Sequence, residues 1–134
     1  MSENPLRVLV VDDEHALRML MVRALSERGF ECDAARDGEQ ALLLVSADHF
    51  DAVVTDLRMP TMNGHSLVVE LLNRANPPVI VVLTGVTEPK LAKDLIARGV
   101  DDIIFKPIEP TVLAAKMRAL VDRRAARFSA PNRV

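Results

Sequence analysis

The sequence contains no tryptophan, no tyrosine and only one cysteine, and these absences narrow what the chain can be. A single cysteine, Cys32, cannot form an internal disulfide, which is typical of a reducing compartment. The N-terminal residues carry only a short apolar run before an acidic pair, unlike a secretory signal peptide. No apolar stretch reaches the roughly 20 residues that a membrane helix needs. These features predict a cytoplasmic protein that does not enter the membrane.

Aliphatic residues supply most of the hydrophobic bulk, since the chain has only four phenylalanines as aromatic residues. It is 49% hydrophobic and 27% charged. This balance is typical of a soluble globular domain. A length of 134 residues gives room for one domain with a substantial core. The formal net charge of −2 provides no field that would attract nucleic acid or anionic lipid. We therefore expect one domain that does not bind nucleic acid directly.

Four short, unbroken apolar runs predict buried strands at residues 7–11, 52–55, 79–83 and 102–105, and a weaker run predicts another at 31–35. Helical patterns lie between and after them; the fourth helix begins near residues 87–89 and the fifth near Pro110. Gly29 and Gly99 are placed to end helices in the left-handed conformation. Five βα units predict an α/β, doubly wound, flavodoxin-like sandwich with a parallel sheet in the order 2-1-3-4-5. The periodicity is lost after residue 124, so residues 5–124 are the predicted domain and 125–134 a C-terminal tail or the start of a linker.

Chemically active side chains follow four of the predicted strands. Asp12 and Asp13 follow the first strand, Asp56 the third, Thr84 the fourth and Lys106 the fifth. Because ligands bind at the carboxyl ends of the strands in an open parallel sheet, we expect these groups to meet at one edge. Each residue alone is explained as well by a solvated turn or a helix cap. Their recurrence at four strand ends favours a site.

Three carboxylates held close together require a cation or a proton. Ligands that are all oxygen atoms, without histidine or cysteine, favour a hard ion such as Mg²⁺. An oxygen atom of the Asp56 carboxylate that does not bind the metal can attack phosphorus and form an aspartyl phosphate. The ammonium of Lys106 and the hydroxyl of Thr84 suit the stabilisation of charge on the phosphoryl oxygens.

These residues and their neighbours resemble the motifs of response-regulator receiver domains of two-component signal transduction, and in particular the chemotaxis-regulator type. The matching motifs are V-V-D-D-E at 10–14, T-D-L-R-M-P at 55–60, N-G at 63–64, L-T-G at 83–85 and F-K-P at 105–107. The resemblance covers roughly residues 5–124, and the order, spacing and strand context of the motifs agree.

The resemblance implies that Asp56 takes a phosphoryl group from a sensor histidine kinase or a phosphotransfer protein. It implies that Thr84 and Lys106 bind the phosphoryl oxygens, that the bond before Pro107 is cis, and that Gly64 lets the loop after the third strand turn. The protein would then be a signalling phospho-acceptor rather than a conventional enzyme. Its signal would pass to an effector domain or downstream protein that the sequence does not identify, and a homodimer is an open alternative.

For the metal, the resemblance implies that Mg²⁺ is bound by Asp13, Asp56 and the backbone carbonyl of Arg58, while Asp12 acts mainly through water. Arg58 also bears on a rival interpretation, a phosphohydrolase with an aspartate nucleophile. Such enzymes carry a second acid two residues after the nucleophile, and here that position is Arg58. A second rival is a pseudo-receiver that binds partners without phosphorylation, against which the intact set of site residues argues.

One departure from the family concerns the residue three positions before Lys106, where receivers usually have tyrosine or phenylalanine and this chain has Ile103. The nearby aromatic residue, Phe105, stands directly before the lysine. The aromatic form of the family's switch is therefore in doubt.

The three histidines match no ligand spacing, and we expect all of them at the surface.

Overall fold

The computed structural model describes residues 5–58, 63–85 and 89–129. Strands and helices alternate along the chain in the order β1 (Leu6–Val11), α1 (His15–Glu27), β2 (Phe30–Ala35), α2 (Gly38–Ala47), β3 (Ala52–Asp56), α3 (Gly64–Leu72), β4 (Val79–Thr84), α4 (Pro89–Arg98), β5 (Asp102–Phe105) and α5 (Pro110–Ser129). All the strand pairs are parallel, and the sheet order is β2-β1-β3-β4-β5. The predicted fold and strand order are confirmed.

Apolar side chains project from both faces of the sheet, and each face packs against helices to form a separate hydrophobic core. Alternate residues of β1 belong to the two different cores, because successive side chains of a strand point to opposite faces. Val8 and Val10 pack with α1 and α5, whereas Leu9 and Val11 pack toward α2, α3 and α4. Burial on both faces explains why the strands are continuous apolar runs rather than alternating patterns.

Two glycines end helices as predicted. Gly29 after α1 has φ of 91° and Gly99 after α4 has φ of 111°, both in the left-handed region that favours glycine. Both strands that carry predicted site residues, β3 and β4, are one residue longer than predicted, so Asp56 and Thr84 are the last residues of their strands. The predicted cap of α4 at residues 87–88 lies outside the described residues.

Helix α5 continues to Ser129, so residues 125–129 of the predicted tail or linker are helical. Alanine and arginine are good helix formers, and a helix therefore persists here without an apolar stripe. Arg124 also ties this part of α5 to the body of the domain, since its guanidinium donates to the Pro77 carbonyl (2.6 Å) and to the Asp101 carboxylate (3.2 Å). Residues 130–134 lie outside the described residues. None of the helices in the described part of the chain has the length and apolarity that crossing a membrane demands.

Candidate functional site

Two carboxylates, one buried and one exposed, directly follow the end of β1. Asp12 is buried, with 1% of its surface exposed, while Asp13 is exposed. The Asp12 Oδ1 accepts a hydrogen bond from the Glu14 backbone N–H (2.8 Å), which orders the first turn of α1. The other oxygen, Oδ2, is buried and has no hydrogen-bond partner among the described residues. An unpartnered buried carboxylate oxygen is costly and points to a ligand at this place.

Burial raises the pKa of Asp12 above its ordinary value of 3.8, and the nearby charges of Asp56 and Asp13 act in the same direction. The hydrogen bond from Glu14 and the charge of Lys106 act against this rise. The net direction shows that this carboxylate is held in surroundings that disfavour its charge. A bound cation would reverse that disadvantage.

Asp56, the last residue of β3, is held from two sides. Its Oδ1 accepts from the Arg58 backbone N–H (3.1 Å), and its Oδ2 accepts from the Lys106 ammonium (2.5 Å). The Thr55 hydroxyl donates to the Asp56 backbone carbonyl (2.9 Å). The side chain is thus fixed at the carboxyl edge of the central strand, as the sequence predicted for this position.

Lys106 reaches this edge from β5, and its Nζ also lies 4.0 Å from the Asp12 Oδ2. Burial acts to lower the pKa of Lys106, but the hydrogen bond and charge of Asp56, helped by Asp12 and Glu14, outweigh it and raise the pKa above 10.5. Lys106 therefore stays charged. The Lys106-Pro107 peptide bond is cis, as the family resemblance implied.

Thr84 is the last residue of β4 and is buried. Its hydroxyl donates to the Gly85 carbonyl (3.1 Å), and its own backbone carbonyl accepts from the Lys106 N–H (2.8 Å). The strand pair β4–β5 thus places Thr84 and Lys106 beside each other. The hydroxyl must leave the Gly85 carbonyl before it can donate to any ligand at the edge of the sheet.

Three carboxylates come together as predicted: oxygen atoms of Asp12, Asp13 and Asp56 all lie within 4.8 Å of one another. This all-oxygen donor set, with one buried oxygen lacking a partner, fits a hard divalent cation such as Mg²⁺. Arg58 follows Asp56 by two residues and is exposed. Which of the predicted groups, including the Arg58 carbonyl, bind the ion directly stays a prediction.

Gly64 is needed here for a different reason from the one expected. Of the glycines, only Gly29 and Gly99 have positive φ in the described residues, so Gly64 does not require a left-handed turn. Instead, a Cβ atom at Gly64 would lie 2.0 Å from the Asp56 carbonyl oxygen and 2.7 Å from the Leu57 Cα. The start of α3 is pressed against the backbone of Asp56, and only glycine fits.

Ile103 and Phe105 point to the same side of β5, since residues two apart in a strand share a face. Ile103 is half-buried and packs with the core beneath α4, whereas Phe105 is 50% exposed. Phe105 is the register partner of Thr84, and Ile103 is that of Val82. The aromatic ring of Phe105 therefore lies two residues further along β5, and nearer to the site, than residue 103, where the family usually has its aromatic side chain.

His65 is the main residue that the sequence did not single out. We expected all the histidines at the surface, but the His65 ring is half-buried and bonds to Asp94 of α4. The spacing of Asp94 and Arg98 at i and i+4 is a readable signal of a helical ion pair. Nothing in the local sequence indicates that His65 joins this pair from another helix.

The chain matches the family model described as the response regulator receiver domain over residues 8–118. A response regulator, MprA of Mycolicibacterium vanbaalenii, is 38% identical over 119 residues, which are 89% of this chain and 52% of that protein. The chain spans about half the length of the curated relatives it matches.

Two solved structures agree with this match. A CheY-like receiver domain protein from Methanospirillum hungatei has a TM-score of 0.87 over 92% of this chain and 99% of its own, at 22% identity, which establishes the fold alone. The response regulator TrrA of Thermotoga maritima, solved in complex with Mg²⁺ and BeF, has a TM-score of 0.75 over 86% of this chain and 98% of its own, at 31% identity. The chain belongs to the response regulator receiver domain family, whose members are signalling proteins and not conventional enzymes.

Proposed function

We propose that this domain accepts a phosphoryl group on Asp56 from a histidine kinase or a phosphotransfer protein, with Mg²⁺ bound at the carboxylate cluster. The observation that carries the proposal is the buried Asp12 Oδ2, which has no hydrogen-bond partner among the described residues, while Asp12 lies in a cluster with Asp13 and Asp56. A bound divalent cation would neutralise the cluster and draw negative charge from the incoming phosphoryl oxygens.

The residues of the chain then have separate tasks. An Asp56 carboxylate oxygen attacks phosphorus, the bond between phosphorus and the donor nitrogen breaks, and the electron pair leaves with the nitrogen. Lys106 is within reach of the acceptor, since it already binds Asp56 Oδ2 at 2.5 Å. Its raised pKa keeps it protonated, so its ammonium can offset charge on the phosphoryl oxygens. Thr84 supplies a hydroxyl donor once it leaves the Gly85 carbonyl.

Incubation with acetyl phosphate or phosphoramidate, followed by intact-mass measurement, tests the proposal. We expect one added phosphoryl group in Mg²⁺, none in Asp56→Asn and none when EDTA removes the metal. Asp122→Asn, which changes an exposed acid on α5, serves as the matched control and should label like the wild type. Full labelling of Asp56→Asn would place the acceptor elsewhere.

The output of the phosphorylated domain is proposed to pass through α4 and β5. Two large apolar side chains are exposed on these elements, Ile96 (60%) and Phe105 (50%). They provide surface for an effector domain, a downstream protein or a second copy of the chain. Light scattering of the beryllofluoride-treated protein, with Phe105→Ser as the comparison, would show whether this surface forms a homodimer.

A further inference from the structure

A hydrogen-bonded group of three side chains joins α3 to α4. The Nε2 atom of His65, the second residue of α3, lies 2.8 Å from Asp94 Oδ2 of α4. The same oxygen accepts from the Arg98 Nε (2.8 Å), one turn further along α4. We refer to His65, Asp94 and Arg98 as the α3–α4 bridge. It joins two helices across 29 residues of sequence.

Each helix that the bridge joins follows a strand that ends in a residue of the proposed phosphorylation site. Helix α3 starts at Gly64, whose backbone is pressed against the Asp56 carbonyl. Helix α4 comes after β4, the strand that ends in Thr84. The bridge therefore connects α3, which follows the strand that ends in Asp56, with α4, which follows the strand that ends in Thr84.

Helix α4 has little other anchorage in the core. Its buried residues are Ala92 and Leu95, whereas the shorter α3 buries Gly64, Leu67, Val68 and Leu71. Burial of apolar area is the main force that seats a helix, so α4 is held less firmly than α3. A polar contact to α3 therefore contributes a larger share of what keeps α4 in place.

Thr84 ends the strand that leads to α4, and its hydrogen bond must change before it can act at the site. The Thr84 hydroxyl is bonded to the Gly85 carbonyl, and it reaches a phosphoryl oxygen only after that bond breaks. We propose that the α3–α4 bridge holds α4 in its present position and so opposes the rearrangement that follows phosphorylation of Asp56. This inference rests on the proposed function, because it concerns the regulation of the same site.

The electrostatics of the bridge favour its persistence. The hydrogen bond from His65, and next that from Arg98, hold the pKa of Asp94 below its ordinary value of 3.8. Asp94 thus remains an ionised acceptor, and Arg98 fixes its orientation within α4. Hydrogen bonds to a charged acceptor are stronger than neutral ones.

The test measures the affinity of the whole chain for beryllofluoride in saturating Mg²⁺, by calorimetry. If the bridge disfavours the competent state, its removal raises the apparent affinity by the gain in that state's population. We expect His65→Leu and Asp94→Ala each to bind beryllofluoride about two- to fivefold more tightly, the range for a partly exposed charged pair. His49→Leu is the matched control, since His49 lies 78% exposed beside Asp51, outside the bridge, and its affinity should not change.

A double variant separates the bridge from effects of either residue alone. If the His65 side chain acts only through its bond to Asp94, His65→Leu with Asp94→Ala should bind no more tightly than Asp94→Ala alone. Additive gains would overturn the inference, as would single variants whose affinity equals or falls below that of the wild type.

Amide exchange of α4 without beryllofluoride gives an independent readout that does not need phosphoryl chemistry. We expect exchange over residues 90–98 to become about two- to fivefold faster in both single variants, in proportion to the loss of the same bond. Unchanged exchange shows that the bridge does not hold α4 and overturns the inference alone. A wild-type chain that neither labels on Asp56 nor binds beryllofluoride refutes the proposed function, and the regulatory inference falls with it.

Discussion

Replacement of Asp12 by asparagine should stabilise the metal-free protein and remove its stabilisation by Mg²⁺. The reason lies in the Asp12 carboxylate, which is clustered with two other carboxylates and whose buried Oδ2 has no hydrogen-bond partner in the described structure. An asparagine amide at that place can donate to a neighbouring carboxylate instead of repelling it. The change keeps the shape of the side chain, so the core next to it is not disturbed.

The size of the effect follows from three opposing contributions. At an effective dielectric constant near 20, the attraction of Lys106 at 4.0 Å is about 4 kcal/mol. On the same basis the repulsion from Asp56, at a separation of no more than 4.8 Å, is at least about 3.5 kcal/mol. These nearly offset each other, which leaves the cost of an unpaired buried oxygen, about 1–3 kcal/mol. We therefore expect Asp12→Asn to gain about 1–2 kcal/mol, or about 4–8 °C in Tm for a domain of this size.

Thermal unfolding with EDTA and then with increasing Mg²⁺ is the assay. At a Mg²⁺ concentration ten times its Kd, the wild type should gain about 1.4 kcal/mol, whereas the variant should gain much less. Glu70→Gln, which changes an exposed acid on α3, should change neither the metal-free Tm nor the response to Mg²⁺. A metal-free Asp12→Asn that is less stable than the wild type, or one that keeps the full Mg²⁺ response, would refute the reasoning.

The same variant has a predicted pH dependence. Because burial raises the pKa of Asp12 above 3.8, the folded protein holds this proton more tightly than the unfolded chain does. The stability that protonated Asp12 contributes is present below pH 3.8 and is lost as the pH rises through the raised value. In metal-free buffer the advantage of Asp12→Asn should therefore be absent in acid and complete at neutral pH.

Three further predictions concern other parts of the site. Asp13→Ala should stay folded, since Asp13 is exposed, yet lose most of the Tm response to Mg²⁺; a variant that keeps that response would place the ion elsewhere. Gly64→Ala should destabilise the domain by about 2 kcal/mol or more and slow labelling by acetyl phosphate, because the added Cβ would meet the Asp56 carbonyl at 2.0 Å, whereas Gly85→Ala meets nothing within 4 Å and should be tolerated. Beryllofluoride should change amide exchange around Thr84 and the start of α4 but hardly at Ile103, and an unchanged response in Ile103→Tyr would show that residue 103 does not set the mechanism.

The sequence by itself determined the fold and the strand ends at which the candidate side chains converge. Continuous apolar runs such as that of β4 identify strands covered on both faces, and the alternation of strands with helices allows few topologies. In a parallel sheet, residues that end different strands meet at one edge. The positions of Asp56 and Lys106, 50 residues apart, could for this reason be predicted to converge without any knowledge of their contacts.

Only the tertiary structure decided the environments of these residues. Asp12 and Asp13 are adjacent and chemically identical, yet one is buried with an unpartnered oxygen and the other is exposed. That difference arises from how β1 and α1 pack, which sequence spacing does not describe. The same holds for Gly64, whose need for glycine is a close approach to another backbone, and for His65, whose partner Asp94 lies on another helix. Local patterns identify elements and their faces, whereas contacts between side chains on different elements depend on how those elements pack together.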